Sequence, residues 1–134
     1  MRQSNITVQY SLIQAFFWMA VAAASGFASL FLLDAGYTSA QVGMLIAAAN
    51  LLSAAVQPMV AALADRPGAP SARRFVIYLS ALAALNAVGL FFCHGKVLIG
   101  LIYGCTITLL QTNTGLVNAM GVLGSRQPNF GIAR

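Results

Sequence analysis

Long uncharged and mostly apolar stretches follow one another along this chain, and only short polar connectors separate them. A helix needs about 20 mainly apolar residues to cross a bilayer, and four stretches reach that length. None of them shows the sustained alternation of apolar and polar residues that a membrane strand requires. The pattern therefore predicts four helices, near residues 9–33, 40–64, 74–94 and 97–123.

The connectors between the predicted helices indicate how the chain crosses the membrane. They read DAGYTSA, DRPGAPSARR and HGK, and connectors this short make consecutive helices antiparallel neighbours. Only Lys96 falls on one side of the membrane, whereas six cations fall on the other: Arg2, Arg66, Arg73, Arg74, Arg126 and Arg134. Since cytoplasmic loops carry the excess of Lys and Arg, we expect a multi-pass protein of the cell membrane with a cytoplasmic N-terminus.

Composition narrows the class of protein further. Hydrophobic residues make up 60% of the 134 and charged residues 7%, whereas soluble domains carry about 25% charged residues. The net charge of +5 does not indicate a nucleic-acid partner, because the cations form short clusters and no basic face. Asp34 and Asp65 are the only acids, and His94 the only histidine, so we expect no catalytic carboxylate pair, no metal site and no cofactor. The sequence predicts an all-α integral membrane protein that is not an enzyme.

Polar and small residues share one face on three of the predicted helices, at about 100° per residue. They are Gln14, Trp18, Ser25 and Ser29 on the first helix, Asn50, Ser53 and Gln57 on the second, and Gly104, Thr108, Gln111, Gly115 and Asn118 on the fourth. Two interpretations stay open. The faces either join helices to one another, or line a watery cavity for a polar solute. Pro58, which removes a backbone hydrogen bond, predicts a kink in the second helix.

The connector after the second helix contains a motif. In LADRPGAPSARR, residues Asp65, Arg66, Gly68, Arg73 and Arg74 match G-x-x-x-D-R/K-x-G-R-R/K, the loop signature of the major facilitator superfamily. The match departs at Ala61, which replaces the leading glycine, and at APSA, which lengthens the gap before the two arginines. The second helix and the ending NFGIAR also resemble the lactose-permease type of oligosaccharide or nucleoside proton symporter.

This resemblance implies a fold and a function. Such transporters have twelve helices in two halves and hold the solute at the midplane between them. Residues 1–134 would be a fragment, the first four helices, with a cytoplasmic loop at 65–74 and truncation before the fifth helix. The chain would be part of a secondary active symporter for transmembrane transport of a small hydrophilic solute, sugar- or nucleoside-like, together with protons. Its partners would be that solute, the lipid bilayer and the remaining helices.

The candidate substrate-binding residues combine the polar faces with the resemblance. They are Gln14, Trp18, Gln111, Asn118 and Arg134. An aromatic face covers the apolar side of a sugar ring, and amides donate and accept hydrogen bonds. In the lactose-permease type an arginine at the position of Arg134 contacts the sugar, and Asn118 stands where its carboxylate partner lies. Arg134 can equally be one more cytoplasmic charge.

Two further alternatives stay open at this point. The loop motif is either a latch between helix ends that favours one conformation of the transporter, or a simple topological anchor. The whole chain is either a fragment of a transporter, or a self-contained four-helix membrane protein that acts as a dimeric transporter or an accessory subunit. Gly100 and Gly104 form a GxxxG pattern that would suit such a dimer.

Overall fold

The computed structural model describes the backbone of residues 2–125, and within it the side chains of residue 8 and of residues 10–120. Its helices are α1 (Arg2–Gly26), α2 (Ala28–Asp34), α3 (Ser39–Ala64), α4 (Ala72–Leu90) and α5 (Lys96–Ser125). Three of them, α3, α4 and α5, are long and apolar enough to cross a membrane, and α1 with α2 adds a fourth span if the bent pair counts as one. The described residues contain no strand. The predicted all-α membrane fold is confirmed.

The first span is bent where a single straight helix was expected. The axes of α1 and α2 meet at 42°, and the bend follows Ser25 and Gly26, the kind of residue pair at which helices kink. The backbone N–H of Phe27 still bonds to the carbonyl of Ala23 at 3.2 Å, so the chain turns without leaving that donor unpaired. α3 continues as one helix through Pro58, and the kink expected there stays a prediction.

The turn between α2 and α3 shows how the sequence ends one span and starts the next. Gly36 has a φ of +87°, and the amide of Tyr37 bonds to the carbonyl of Leu32 at 3.0 Å, as in a Schellman turn. Thr38 then caps α3, because its hydroxyl accepts from the amide of Gln41 while the Gln41 side chain accepts from the amide of Thr38. This reciprocal capping box fixes the start of α3.

We name the two ends of the helix bundle by their cations. The arginine end contains Arg66 in the α3–α4 loop and Arg73 and Arg74 at the start of α4, and the lysine end contains the α4–α5 loop and Lys96, the first residue of α5. At the lysine end α4 stops at Leu90 and not near residue 94, because the next amides bond three residues back, as in a tighter 3₁₀ turn.

The central element is α5, which packs against α1, α3 and α4. It runs parallel to α3 and antiparallel to α1 and α4. Two clusters form the core. The cluster near the lysine end contains Ala28, Leu32, Val42, Ala49, Tyr103 and Ile107, and the cluster near the arginine end contains Val76, Leu116 and Val117. Large apolar side chains such as Phe16, Leu51 and Leu85 point away from this core and are more than half exposed, as expected of surfaces that face lipid.

Candidate functional site

Polar side chains of α5 are buried and bond to the helices on either side of it. The hydroxyl of Thr108 donates to the carbonyl of Ala49 on α3 at 3.2 Å. The amide of Asn113, which is 1% exposed, donates to the hydroxyl of Ser80 on α4 at 2.8 Å. Hydrogen bonds of this kind join helices in an apolar medium. Asn113 is a residue that the sequence analysis did not single out.

Two tyrosines attach α1 to α5. The hydroxyl of Tyr10 on α1 donates to the carbonyl of Val117 on α5 at 3.2 Å. The hydroxyl of Tyr103 on α5 donates to the carbonyl of Ala24 on α1, and its ring stacks on Phe31 with centroids 5.5 Å apart. One bond lies toward the arginine end and the other toward the lysine end, so the seam between α1 and α5 is held at both ends.

The small residues of α5 allow close packing with the α2–α3 region of the same chain. A Cβ at Gly100 would overlap the phenol of Tyr37, and one at Gly115 would overlap the side chain of Gln57. Gly104 lies opposite Leu45. These glycines therefore form helix contacts within the chain, which is the packing interpretation of the polar face, and the GxxxG pattern of Gly100 and Gly104 is used there.

The candidates Gln111 and Asn118 lie on a different part of α5. Around the helix axis, at about 100° per residue, Thr108 points toward α3 and Val117 points toward α1. Gln111 and Asn118 point between these two directions. Asn113, which bonds to α4, points the opposite way. Gln111 is half-buried and Asn118 is exposed. We call the strip formed by these two amides the amide face, and it is the polar part of α5 that turns away from α4.

The candidates on the first helix differ in their surroundings. The side-chain nitrogen of Gln14 donates to the hydroxyl of Tyr10 at 2.8 Å, and Tyr10 bonds in turn to Val117, the residue before Asn118. The structure thus brings Gln14 to the arginine-end half of α5, near the amide face. Trp18 is 48% exposed and makes an edge contact with Phe17, with centroids 6.1 Å apart. The candidate Arg134 lies outside the described residues.

The loop motif folds into a defined turn. The amide of Ala69 bonds to the carbonyl of Arg66 at 3.0 Å, Pro67 occupies the second position of this turn, and Gly68 has a φ of +84°. These are the features of a type II β-turn, in which the third position favours glycine. The motif glycine is thereby explained by backbone geometry.

The charges of the loop motif stand at helix ends that disfavour them. Asp65 is the C-cap of α3, where the helix dipole is negative, and Arg73 and Arg74 lie in the first turn of α4, where it is positive. All three are exposed. Helix stability alone would favour a cation at the end of α3 and acids at the start of α4. The charges of the motif are therefore not explained by helix stability.

Lys96 at the lysine end makes more contacts than a boundary charge needs. Its ammonium group donates to the side-chain oxygen of Gln41 at 2.8 Å and lies 4.8 Å from the ring centroid of Tyr37. The hydroxyl of Tyr37 donates to the Lys96 carbonyl at 2.6 Å. These contacts join the α2–α3 turn to the start of α5, and a pattern of apolar runs contains no signal for them.

A groove of about 530 Å³ lies between α1 and α4, with α5 as its floor. Apart from the hydroxyls of Ser80 and Thr106, its walls are apolar, with Phe16, Phe17 and Ala84 among them. A hydrophilic solute would lose its hydration there without gaining hydrogen bonds. The amide face, and not this apolar groove, is therefore the candidate site.

Three or four long apolar spans, one of them a central helix with a polar face, define a multi-pass α-helical membrane protein. Comparison with protein families gives a more specific assignment. A model of the MFS_1 like family matches residues 7–131, so the chain belongs to this family of the major facilitator superfamily and is part of a major facilitator transporter. No significant match was found among curated proteins or among solved structures.

Proposed function

We propose that this chain supplies four helices of a lactose-permease-type secondary transporter, which moves a small hydrophilic solute across the cell membrane by proton symport. The solute is sugar- or nucleoside-like, and the arginine end faces the cytoplasm. The remaining helices of the transporter complete the solute site. The observation that carries the proposal is the amide face. Gln111 and Asn118 lie on the side of α5 that does not pack against α4.

The chemistry of the amide face favours an uncharged solute. Each amide offers one acceptor and two donors, which suits hydroxyl groups and nucleobase edges equally well. The middle of each described span carries no charged side chain, since the charged residues all stand at or next to helix ends: Asp34, Asp65, Arg73, Arg74 and Lys96. A charged solute at the midplane would need an opposite charge to offset its lost hydration. The proton-coupling group is accordingly expected on the remaining helices.

Arg134 belongs to the same proposal. The resemblance implies that its guanidinium contacts the solute. A guanidinium presents several donors in one planar fork, whereas the ammonium group of a lysine is a single point charge. In the whole transporter, we expect Arg134→Lys to weaken solute binding nearly as much as Arg134→Ala, because the fork is lost while the charge stays. A lysine variant that binds normally would leave Arg134 as a topology signal.

An uptake experiment tests the proposal. Cells that express the whole transporter are given radiolabelled lactose, sucrose and uridine, with and without a protonophore. We expect one of them to accumulate, the protonophore to abolish its accumulation, and Asn118→Leu to lower its uptake at least tenfold. The matched control is Asn86→Leu on α4, because the Asn86 amide bonds to the carbonyl of Leu82 in its own helix. No accumulation of any solute, or equal loss in both variants, would contradict the proposal.

A further inference from the structure

Tyr10 makes two hydrogen bonds at once, and together they connect Gln14 to α5. Its hydroxyl donates to the carbonyl of Val117 at 3.2 Å and accepts from the side-chain nitrogen of Gln14 at 2.8 Å. A phenol has one hydrogen to donate, so donation to Val117 directs the oxygen lone pairs toward Gln14. The orientation of the Gln14 amide is therefore set by a bond to the neighbouring helix.

The oriented amide keeps an acceptor that pairs with none of the described residues. The side-chain oxygen of Gln14 is enclosed and makes no hydrogen bond to any described residue. An unpaired carbonyl oxygen away from water is unfavourable, and a hydroxyl or N–H group is what would pair with it. Asn118 on the amide face follows Val117 directly in the chain, so Tyr10 bonds to α5 one residue away from the amide face.

We propose that Tyr10 is a positioning residue of the solute site, which orients Gln14 so that its carbonyl oxygen accepts a hydrogen bond from a hydroxyl or N–H group of the solute. This inference rests on the proposed function. The bond between Tyr10 and Gln14 lies within α1 and moves with it. The bond to Val117 crosses to α5 and keeps the Tyr10 hydroxyl, and with it the Gln14 amide, in this orientation while the solute is bound.

Tyr103 provides the matched control for this role. Its hydroxyl makes the same kind of bond between α5 and α1, to the carbonyl of Ala24. Its ring is held separately by stacking on Phe31. Tyr103→Phe thus removes one bond between these helices and leaves the Gln14 amide as it is, whereas Tyr10→Phe removes such a bond and also releases the amide.

The first measurement needs no solute. The background is the whole protein with Cys93 and Cys105 replaced by serine. Thr114→Cys then reports on the seam between α1 and α5, because Thr114 is half-buried and points between the directions of Asn118 and Val117 around the axis of α5. We expect Tyr10→Phe to raise the rate of labelling by a water-soluble maleimide about fivefold, and Tyr103→Phe to change it less than twofold. Equal rates in the parent protein and both variants would overturn the inference.

The second measurement separates a positioning role from a merely structural one. Its probe is whichever of lactose, sucrose and uridine the cells accumulate. Tyr10→Phe should raise the KM of uptake about fivefold to tenfold with the maximal rate within twofold, and should add nothing to the loss caused by Gln14→Leu. The same KM in Tyr10→Phe and Tyr103→Phe, or additive losses, would overturn it. If none of the solutes accumulates, the proposed function fails, and the labelling result still decides whether Tyr10 closes Gln14 against α5.

Discussion

Tyr10 and Tyr103 make the same hydrogen bond in opposite directions across one helix pair. Tyr10 of α1 donates to a carbonyl of α5, and Tyr103 of α5 donates to a carbonyl of α1. The donors and acceptors span equal lengths of the two antiparallel helices, from 10 to 24 and from 103 to 117. A slip of α1 by one residue would break both bonds, so the pair fixes the register of the first span on the central helix.

The lysine-end bond of this pair should contribute measurably to stability. Tyr103→Phe keeps the ring on Phe31 and removes only the hydroxyl. We therefore expect the free energy of unfolding to fall by about 0.6 kcal/mol, the average for hydrogen bonds between membrane helices, and by no more than about 1.7 kcal/mol. Unfolding of the whole protein in mixed micelles by sodium dodecyl sulfate measures this loss. Tyr78→Phe is the control, because Tyr78 is 63% exposed on α4, and an equal loss there would contradict the prediction.

Gly100 should be the less replaceable of the two glycines in the GxxxG pattern. A methyl group at Gly100 would overlap the phenol of Tyr37, and that phenol cannot move without losing its bond to the Lys96 carbonyl. We therefore expect Gly100→Ala to lower the free energy of unfolding by about 1–3 kcal/mol, as other overpacked sites do. Thermal aggregation of the detergent-solubilised protein would show the loss as a lower midpoint.

Gly104 supplies the matched control one turn along the same helix. A Cβ there would lie 3.8 Å from Leu45, an ordinary contact distance, and alanine suits a helix interior better than glycine. Gly104→Ala should therefore leave the midpoint unchanged or raise it slightly. Equal midpoints for the two alanine variants would show that the close contact between Tyr37 and Gly100 does not affect stability.

The spans were predictable because the bilayer imposes one requirement, a sufficient apolar length. This is why α3 and α5 begin within a residue of the expected positions. The bend was not predictable in the same way. Pro58 lacks one donor, yet α3 continues through it, while the adjacent Ser25 and Gly26 mark the bend of the first span. A proline and a Ser–Gly pair are both local signals for a bend, and the sequence alone does not say at which of them the packing of neighbouring helices will bend the chain.

The candidate site was predictable only in part, for a related reason. The helical period shows which residues share a face, but it does not show which neighbouring helix packs against that face. Thr108 and Gly115 share the face of Gln111, yet they pack against α3. The buried polar contacts of Asn113 and of the tyrosines depend on residues distant in sequence. The equal spacing of Tyr10 and Tyr103 from their acceptors becomes visible only once α1 and α5 are paired.

The proposed orientation of the bundle predicts which thiols an impermeant reagent can reach. If the arginine end faces the cytoplasm, as the bias of six cations against one favours, Cys93, half-buried beside the lysine end, should react from outside intact cells. Cys105, in the middle of α5, should not. Ser71→Cys, in the loop at the arginine end, should stay protected until the cells are permeabilised, with Cys93→Ser as the background. Labelling of Ser71→Cys in intact cells would reverse the orientation.

The acid of the loop motif should matter for transport and not for folding. Asp65 caps the negative end of α3, so its charge disfavours the helix slightly, and Asp65→Asn should leave the thermal midpoint unchanged or slightly higher. If Asp65 acts as a latch between helix ends, the same variant should slow solute uptake at least tenfold at normal expression.

The other acid of the chain separates a latch from a mere boundary charge. Asp34 is exposed and also ends a helix, at the opposite end of the bundle, so Asp34→Asn changes the same type of group in the same dipole environment. Uptake by this variant should stay within twofold of the parent transporter. Parent-like uptake in Asp65→Asn would make the motif a topological anchor, and equal slowing in both variants would assign the effect to helix ends in general.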